Sequence, residues 1–200
     1  MDLGTSRWLG LALASALAGG CALTSETIHL DYAPLAAAAP VAGAQAIRVQ
    51  VQVRDVRQAK TDVVSHKGVD GGALTNDVSV PVLLGQAVAQ ELRARGYQVT
   101  GTGAVPLLLE LTVFEHRFKS GFFAFPSQAA VTFLASVKDA QGRELFRDSF
   151  TGAFRDEVQV AGVDNAKEAL QHALPAAVKS LMDSPALHQA LARAAAPPAS

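Results

Sequence analysis

Five histidines, one cysteine and a scatter of serines and carboxylates are the groups in this 200-residue chain able to hold a metal, attack a carbonyl or move a proton. A metal site needs several such side chains converging at close range. His29, His66, His116, His172 and His188 are spread along the chain, and none stands four residues from another. His116 follows Glu115 in a strand-like run, where neighbouring side chains point to opposite faces. They read as solvated or capping histidines, so neither a metal nor any other cofactor is expected. Nucleophilic catalysis has no better support: Ser127 and Ser149 lack a surrounding motif, and no G-x-S-x-G elbow occurs. Val69-Asp70-Gly71-Gly72 reads as a turn, because a phosphate loop would need a Lys-Ser/Thr pair and a following helix. Asp156-Glu157 reads as solvated surface. What remains is a single thiol, and its position matters.

Cys21 ends an apolar run, Trp8 to Ala18, through Gly19-Gly20. The run is too short to cross a hydrocarbon core of about 30 Å, but it has the length and flanks of a secretory leader. The arrangement resembles the lipobox of bacterial lipoproteins, in which the thiol is diacylglycerated and the chain is cut just before it. The pattern is relaxed here, since Ala18 rather than Leu17 stands three residues before Cys21. An ordinary secretory cut after Ala16-Leu17-Ala18 is the competing reading. It would leave an exported chain with one unpaired thiol, so lipidation of Cys21 is favoured. Acyl chains stabilise anchoring by about 0.8 kcal/mol per buried methylene, enough to make release negligible. Ala22 rather than Asp follows the thiol, which by the same resemblance implies the outer membrane.

Removal of residues 1–20 leaves about 180 residues, the size of one domain with a proper core. Lys and Arg total 17 against 18 Asp and Glu, so neither a nucleic-acid footprint nor a polybasic membrane patch is present. No second apolar run approaches spanning length. Residues 21–45 read as a lipidated N-terminus and Ala/Pro tether, 46–194 as one periplasmic domain, and 195–200 as a disordered tail.

Within the domain, Ile47 to Arg54 alternates apolar and polar residues as a strand does. Asp55 to Asp77 is long, polar and glycine-bearing, with a short strand at residues 63–67. Ser79 to Arg95 is a helix with Leu84, Val88 and Leu92 as its buried stripe, capped by Asp77 or Ser79 and ended by Gly96. Pro106 to Phe118 sets Leu107, Leu109, Leu111 and Val113 on one face against Leu108, Glu110, Thr112 and Phe114 on the other. Ala129–Lys138 and Glu144–Phe154 complete a meander through the turn at 139–142. Asp164 caps a helix over 165–182, with a kink expected at Pro175, and a short helix spans 185–193. The sum is an α+β two-layer sandwich, β-α-β-β-β-α, with a mostly antiparallel sheet and two helices packed on one face.

Leu84-x-x-x-Val88-x-x-x-Leu92-x-x-x-Gly96-Tyr97, running into an alternating strand behind a lipoprotein leader and tether, resembles the YajG family of uncharacterised bacterial lipoproteins. Arg95-Gly96-Tyr97 and the helix start at Asn165-x-x-x-Ala169 are similar as well. The resemblance spans residues 47–194 and carries over no catalytic residue. By analogy it implies an accessory role in the cell envelope.

One stretch departs from ordinary loop chemistry. Residues 118–126 place Phe118, Phe122, Phe123 and Phe125 at a hairpin connection, where polar residues are the norm. Either several of them fold back on the sheet, or they form an exposed tip that meets a protein partner or a lipid surface. The expectation is therefore a non-catalytic, outer-membrane-anchored lipoprotein that binds through this loop and a sheet face or edge. A small envelope hydrolase with a pocket near His66, Asp70 and His116 is the alternative, and a structural spacer is a third.

Overall fold

The computed structural model describes residues 25–36, 39–67, 71–102, 105–120 and 123–196. The expected leader and the last four residues of the expected tail lie outside the described residues. In chain order the elements are β1 (Glu26–Ile28), β2 (Arg48–Asp55), β3 (Val63–His66), β4 (Ala73–Asn76), α1 (Val80–Ala94), β5 (Gln98–Val99), β6 (Val105–Phe118), β7 (Phe125–Lys138), β8 (Glu144–Val158), α2 (Val163–Met182) and α3 (Pro185–Ala195). The chain is an α+β sandwich. A five-stranded sheet, ordered β5-β2-β6-β7-β8, is antiparallel from β6 to β8 and parallel where β2 meets β5 and β6. Three helices, not the two expected, pack on one face of it, because α3 docks back on the sheet beside α2. The small sheet β1-β4-β3, of which only the β3 region was foreseen, covers the far half of β6 on that same side.

The alternation in β6 slips where the sequence gives no warning. Leu107, Leu109 and Leu111 face the helices, and then a register shift between Leu111 and Val113 inserts one residue. Beyond that bulge Phe114, His116 and Phe118 turn inward, so Val113 and Phe114 exchange the faces expected of them.

The helix termini also differ from expectation. Ser79 stands at the N-cap of α1 but makes no side-chain cap bond; the Val80 N–H instead donates to Asp62 Oδ1 at 3.0 Å. Gly162, not Asp164, is the N-cap of α2, and Asp164 lies in its first turn, where a carboxylate suits the dipole. Pro175 is accommodated inside α2, which runs unbroken to Met182. Gly96 ends α1 at φ +94°, as a glycine after a helix should. At the other end of the chain α3 is docked through His188. Its Nε2–H donates to the Met182 carbonyl at 2.8 Å, which leaves Nδ1 to accept from the Tyr97 hydroxyl at 2.8 Å.

The largest departure is the expected tether. Its described part is packed onto the domain. β1 pairs with β4, Leu30 and Ala44 are buried, and a single 3-10 turn at Ala44–Ala46 leads into β2. The clasp is Glu91, on the same buried face of α1 as Leu84 and Val88 and only 1% exposed. Its carboxylate accepts from Arg95 at 2.6 Å, from the Tyr32 hydroxyl at 2.9 Å and from the Leu35 N–H at 2.9 Å. Burial, then the hydrogen bond to Glu91, pushes the Tyr32 hydroxyl pKa well above its ordinary value. A buried carboxylate must be paired on all sides, and the segment supplies two of the partners. Tyr32→Phe is expected to cost about 1–2 kcal/mol and to loosen residues 29–41 first. Hydrogen exchange checks this: faster exchange at the Leu35 and Val41 amides, with α1 unchanged, is the expected pattern.

Candidate functional site

Three places in the fold bear on function, and the hairpin between β6 and β7 is the first. Lys119 N–H donates to the Pro126 carbonyl at 2.9 Å and closes it. Phe118 is buried with Leu74 and Ala166, and Phe125 packs against the same cluster, so both support the hairpin from beneath rather than presenting a surface. Phe123 is 89% exposed at the tip. Phe122 lies outside the described residues. Of the two sequence readings, fold-back applies to Phe118 and Phe125 and exposure to Phe123.

The second place answers the hydrolase alternative. His116 is 2% exposed and bridges two serines, Ser65 Oγ at Nδ1 (2.7 Å) and Ser127 Oγ at Nε2 (2.8 Å). One nitrogen carries the proton and the other accepts, so one serine accepts and the other donates. Burial lowers the imidazole pKa to about 4, which makes this a neutral histidine at pH 7. Phe118 meets the ring edge-on at 4.5 Å. A serine hydrogen-bonded to histidine is the pairing a nucleophile needs, yet Ser65 and Ser127 are both buried and no described carboxylate orients the ring. The node instead ties β3 of the small sheet to β6 and β7. His66 is exposed on β3 and lines, with His116, Arg57 and Arg117, a hollow of about 530 Å³. Asp70 lies outside the described residues. Sequence spacing could not find the node, because Ser65 and His116 are 51 residues apart.

The third place is an edge. β5 pairs with only the first residues of β2: the Gln98 N–H reaches Ile47 and the Thr100 N–H reaches Val49. The odd-numbered residues of β2 therefore turn their backbone groups toward the β5 side, while Val56 N–H bonds Leu111 on the β6 side. Beyond Thr100 no described strand continues, so Val51 and Val53 present N–H and C=O groups along an open edge. Their side chains face a groove of about 950 Å³ against α1, lined by Pro81, Val82, Gly85 and Ala89. Gly85 keeps that groove narrow: a Cβ there would stand 3.1 Å from Val53 Cγ2.

Among the described residues, no three His, Cys, Asp or Glu side chains converge as metal ligands. No helix of the described residues is long and apolar enough to cross a membrane. Cys21 lies outside the described residues.

Comparison with known proteins gives the following. Residues 34–192 match the model of a family, Lipoprotein_16, described as uncharacterized lipoprotein. No curated protein matches the chain. A crystal structure of protein XCC0632 from Xanthomonas campestris, of the family DUF330, aligns over 78% of this chain and 92% of its own with a TM-score of 0.56 at 11% identity, a likeness of fold alone. A minor lipoprotein from Acinetobacter baumannii aligns over 73% of this chain and 91% of its own, at 15% identity and a TM-score of 0.44.

Proposed function

The chain belongs to the Lipoprotein_16 family of uncharacterised lipoproteins, and from that premise we propose an outer-membrane lipoprotein, acylated at Cys21 and facing the periplasm, that serves a cell-envelope system by binding rather than catalysis. The observation that carries the binding role is the open edge of β2 above its apolar groove. An extended segment of an envelope protein laid along Val51 and Val53 would take up their backbone groups. Every second side chain of that segment would fall into the groove beside α1. The exposed hairpin tip at Phe123, with Phe118 and Phe125 packed beneath the hairpin, adds a second contact, to lipid, and the sequence adds Phe122 to the same proposal.

The edge can be blocked without breaking the domain. Val53→Pro removes a donor that faces outward and leaves the ladder to β6 intact. A photoreactive residue at Gln86, on the groove, should crosslink one discrete envelope protein in living cells, and Lys179, on α2, should not. With Val53→Pro the adduct at 86 should disappear while the melting temperature stays within a few degrees. Persistence of the adduct would remove the edge from the proposal. The anchor is tested by the intact mass of the mature protein, which should begin at an acylated Cys21; a chain beginning at Gly19 without acyl groups would end that part.

A further inference from the structure

We infer that the end of the domain carrying the 118–126 hairpin rests on the bilayer that anchors the protein, with Phe123 and Val160 immersed in its interface. This rests on acylation at Cys21 proposed above.

The first ground is how few residues separate Cys21 from the sheet. Glu26, the first residue of β1, comes only five residues after Cys21. Five residues reach at most about 17 Å when fully extended. A tether running to residue 45 would have let the domain stand off in any orientation; this one keeps the site of attachment against the membrane surface.

The second ground is where that attachment lies. Glu26 pairs with Leu74 and is bridged by Lys67 Nζ at 2.6 Å. Leu74 packs with Phe118 and Ala166, with Phe125, Val158 and Ala161 around them. The chain thus leaves for its anchor beside the β6–β7 hairpin. The opposite hairpin, at 139–143, lies the length of β7 away, fourteen residues or about 45 Å.

The third ground is what that end exposes. Phe123 at 89% and Val160 at 73% are the two most exposed large apolar residues described. Phe125 pairs with Val158, so Phe123 and Val160 stand on neighbouring connections, each two residues beyond that pair. The charges named at this end balance: Lys67, Arg117, Lys119 and Arg155 are set against Glu26, Glu115, Asp156 and Glu157. Apolar immersion rather than attraction to anionic headgroups therefore holds the contact, and salt should not release it. In this posture the strands stand on the membrane and the β2 edge faces sideways, clear of it.

The test uses the full acylated protein in vesicles of phosphatidylethanolamine and phosphatidylglycerol. Cys21 is the only cysteine and is blocked by its lipid, so Phe123→Cys, Val160→Cys and Gln141→Cys each give one site for a nitroxide label. Labels at 123 and 160 should show a severalfold lower collision rate with a water-soluble nickel chelate than the label at 141, and 1 M salt should not change this. If the protein floats with vesicles but 123 is as open as 141, the inference fails and the anchor stands. Shielding of 123 that appears only after envelope extract is added would assign the tip to a protein instead, which also overturns it. If the unlabelled protein does not float, the anchor falls and this inference with it.

Discussion

Gly152→Ala is expected to cost about 3 kcal/mol or more and to lower the melting temperature by about 10 °C. Gly152 lies in β8 opposite Val131, beneath the middle of α2. A Cβ placed on it would stand 2.0 Å from the Ala173 carbonyl oxygen, 2.4 Å from the Ala177 nitrogen and 3.0 Å from the Ala177 Cβ. Two of these are backbone atoms, so no rotamer change relieves the clash. The helix must move off the sheet. It has been brought this close by small residues, with Ala169, Ala173 and Ala177 buried at every fourth position. Separation would open the contacts of Leu170, Leu174, Val178 and Leu181 at the same time, which is why the cost exceeds that of one methyl group. Gly101→Ala is the control, since nothing lies within 4 Å of its added Cβ and its backbone is ordinary. Urea titration of both variants reads the difference. If Gly152→Ala melts within a degree or two of the parent, the helix–sheet contact is looser than described.

The contrast between Gly152 and the elements read from sequence shows where pattern is informative. The Leu84–Val88–Leu92 stripe and the alternation of residues 47–54 were legible because each repeats a period set by its own backbone, and one buried face selects it. The turn at 139–142 was legible because Gly142 takes φ +80°, which the sequence advertises. The described part of residues 26–46 was not, because its order depends on single distant groups. Leu30 N–H bonds Asn76, Tyr32 and Leu35 bond Glu91, and Val41 N–H bonds the Arg95 carbonyl. None of these leaves a local period, and an Ala/Pro-rich run looks the same whether it lies on a surface or floats. The same holds for the candidate sites. The aromatic tip was visible as composition in the wrong place, whereas Phe118 was misplaced with it because the bulge after Leu111 resets which residues face in. The open edge of β2 depends on where β5 stops, a property of two strands that neither sequence states.

The second large effect is a loss of stability on acidification that one residue accounts for. His116 is neutral and buried between Ser65 and Ser127, and its folded-state pKa of about 4 lies below the ordinary 6.5. Below pH 6.5 the unfolded chain takes up a proton that the folded chain refuses, so stability present above 6.5 is lost as pH falls toward 4. The loss should reach about 2 kcal/mol at pH 5 and about 3 kcal/mol near pH 4. Other shifted groups fall outside this window or are constant in it. Hydrogen bonding to Asp77, with the charge of Asp31, raises the His29 pKa, so its contribution is fully present below 6.5 and is lost only as pH rises. The Arg57 hydrogen bond holds Asp55 below the usual carboxylate range, and its contribution is lost only below about pH 4. His116→Gln keeps one donor and one acceptor for the two serines and does not titrate. Urea melts at pH 7, 6 and 5 should therefore show a steeper decline in the parent than in His116→Gln, with the two lines diverging below 6.5. Parallel lines would mean that the imidazole is hydrated in the folded protein.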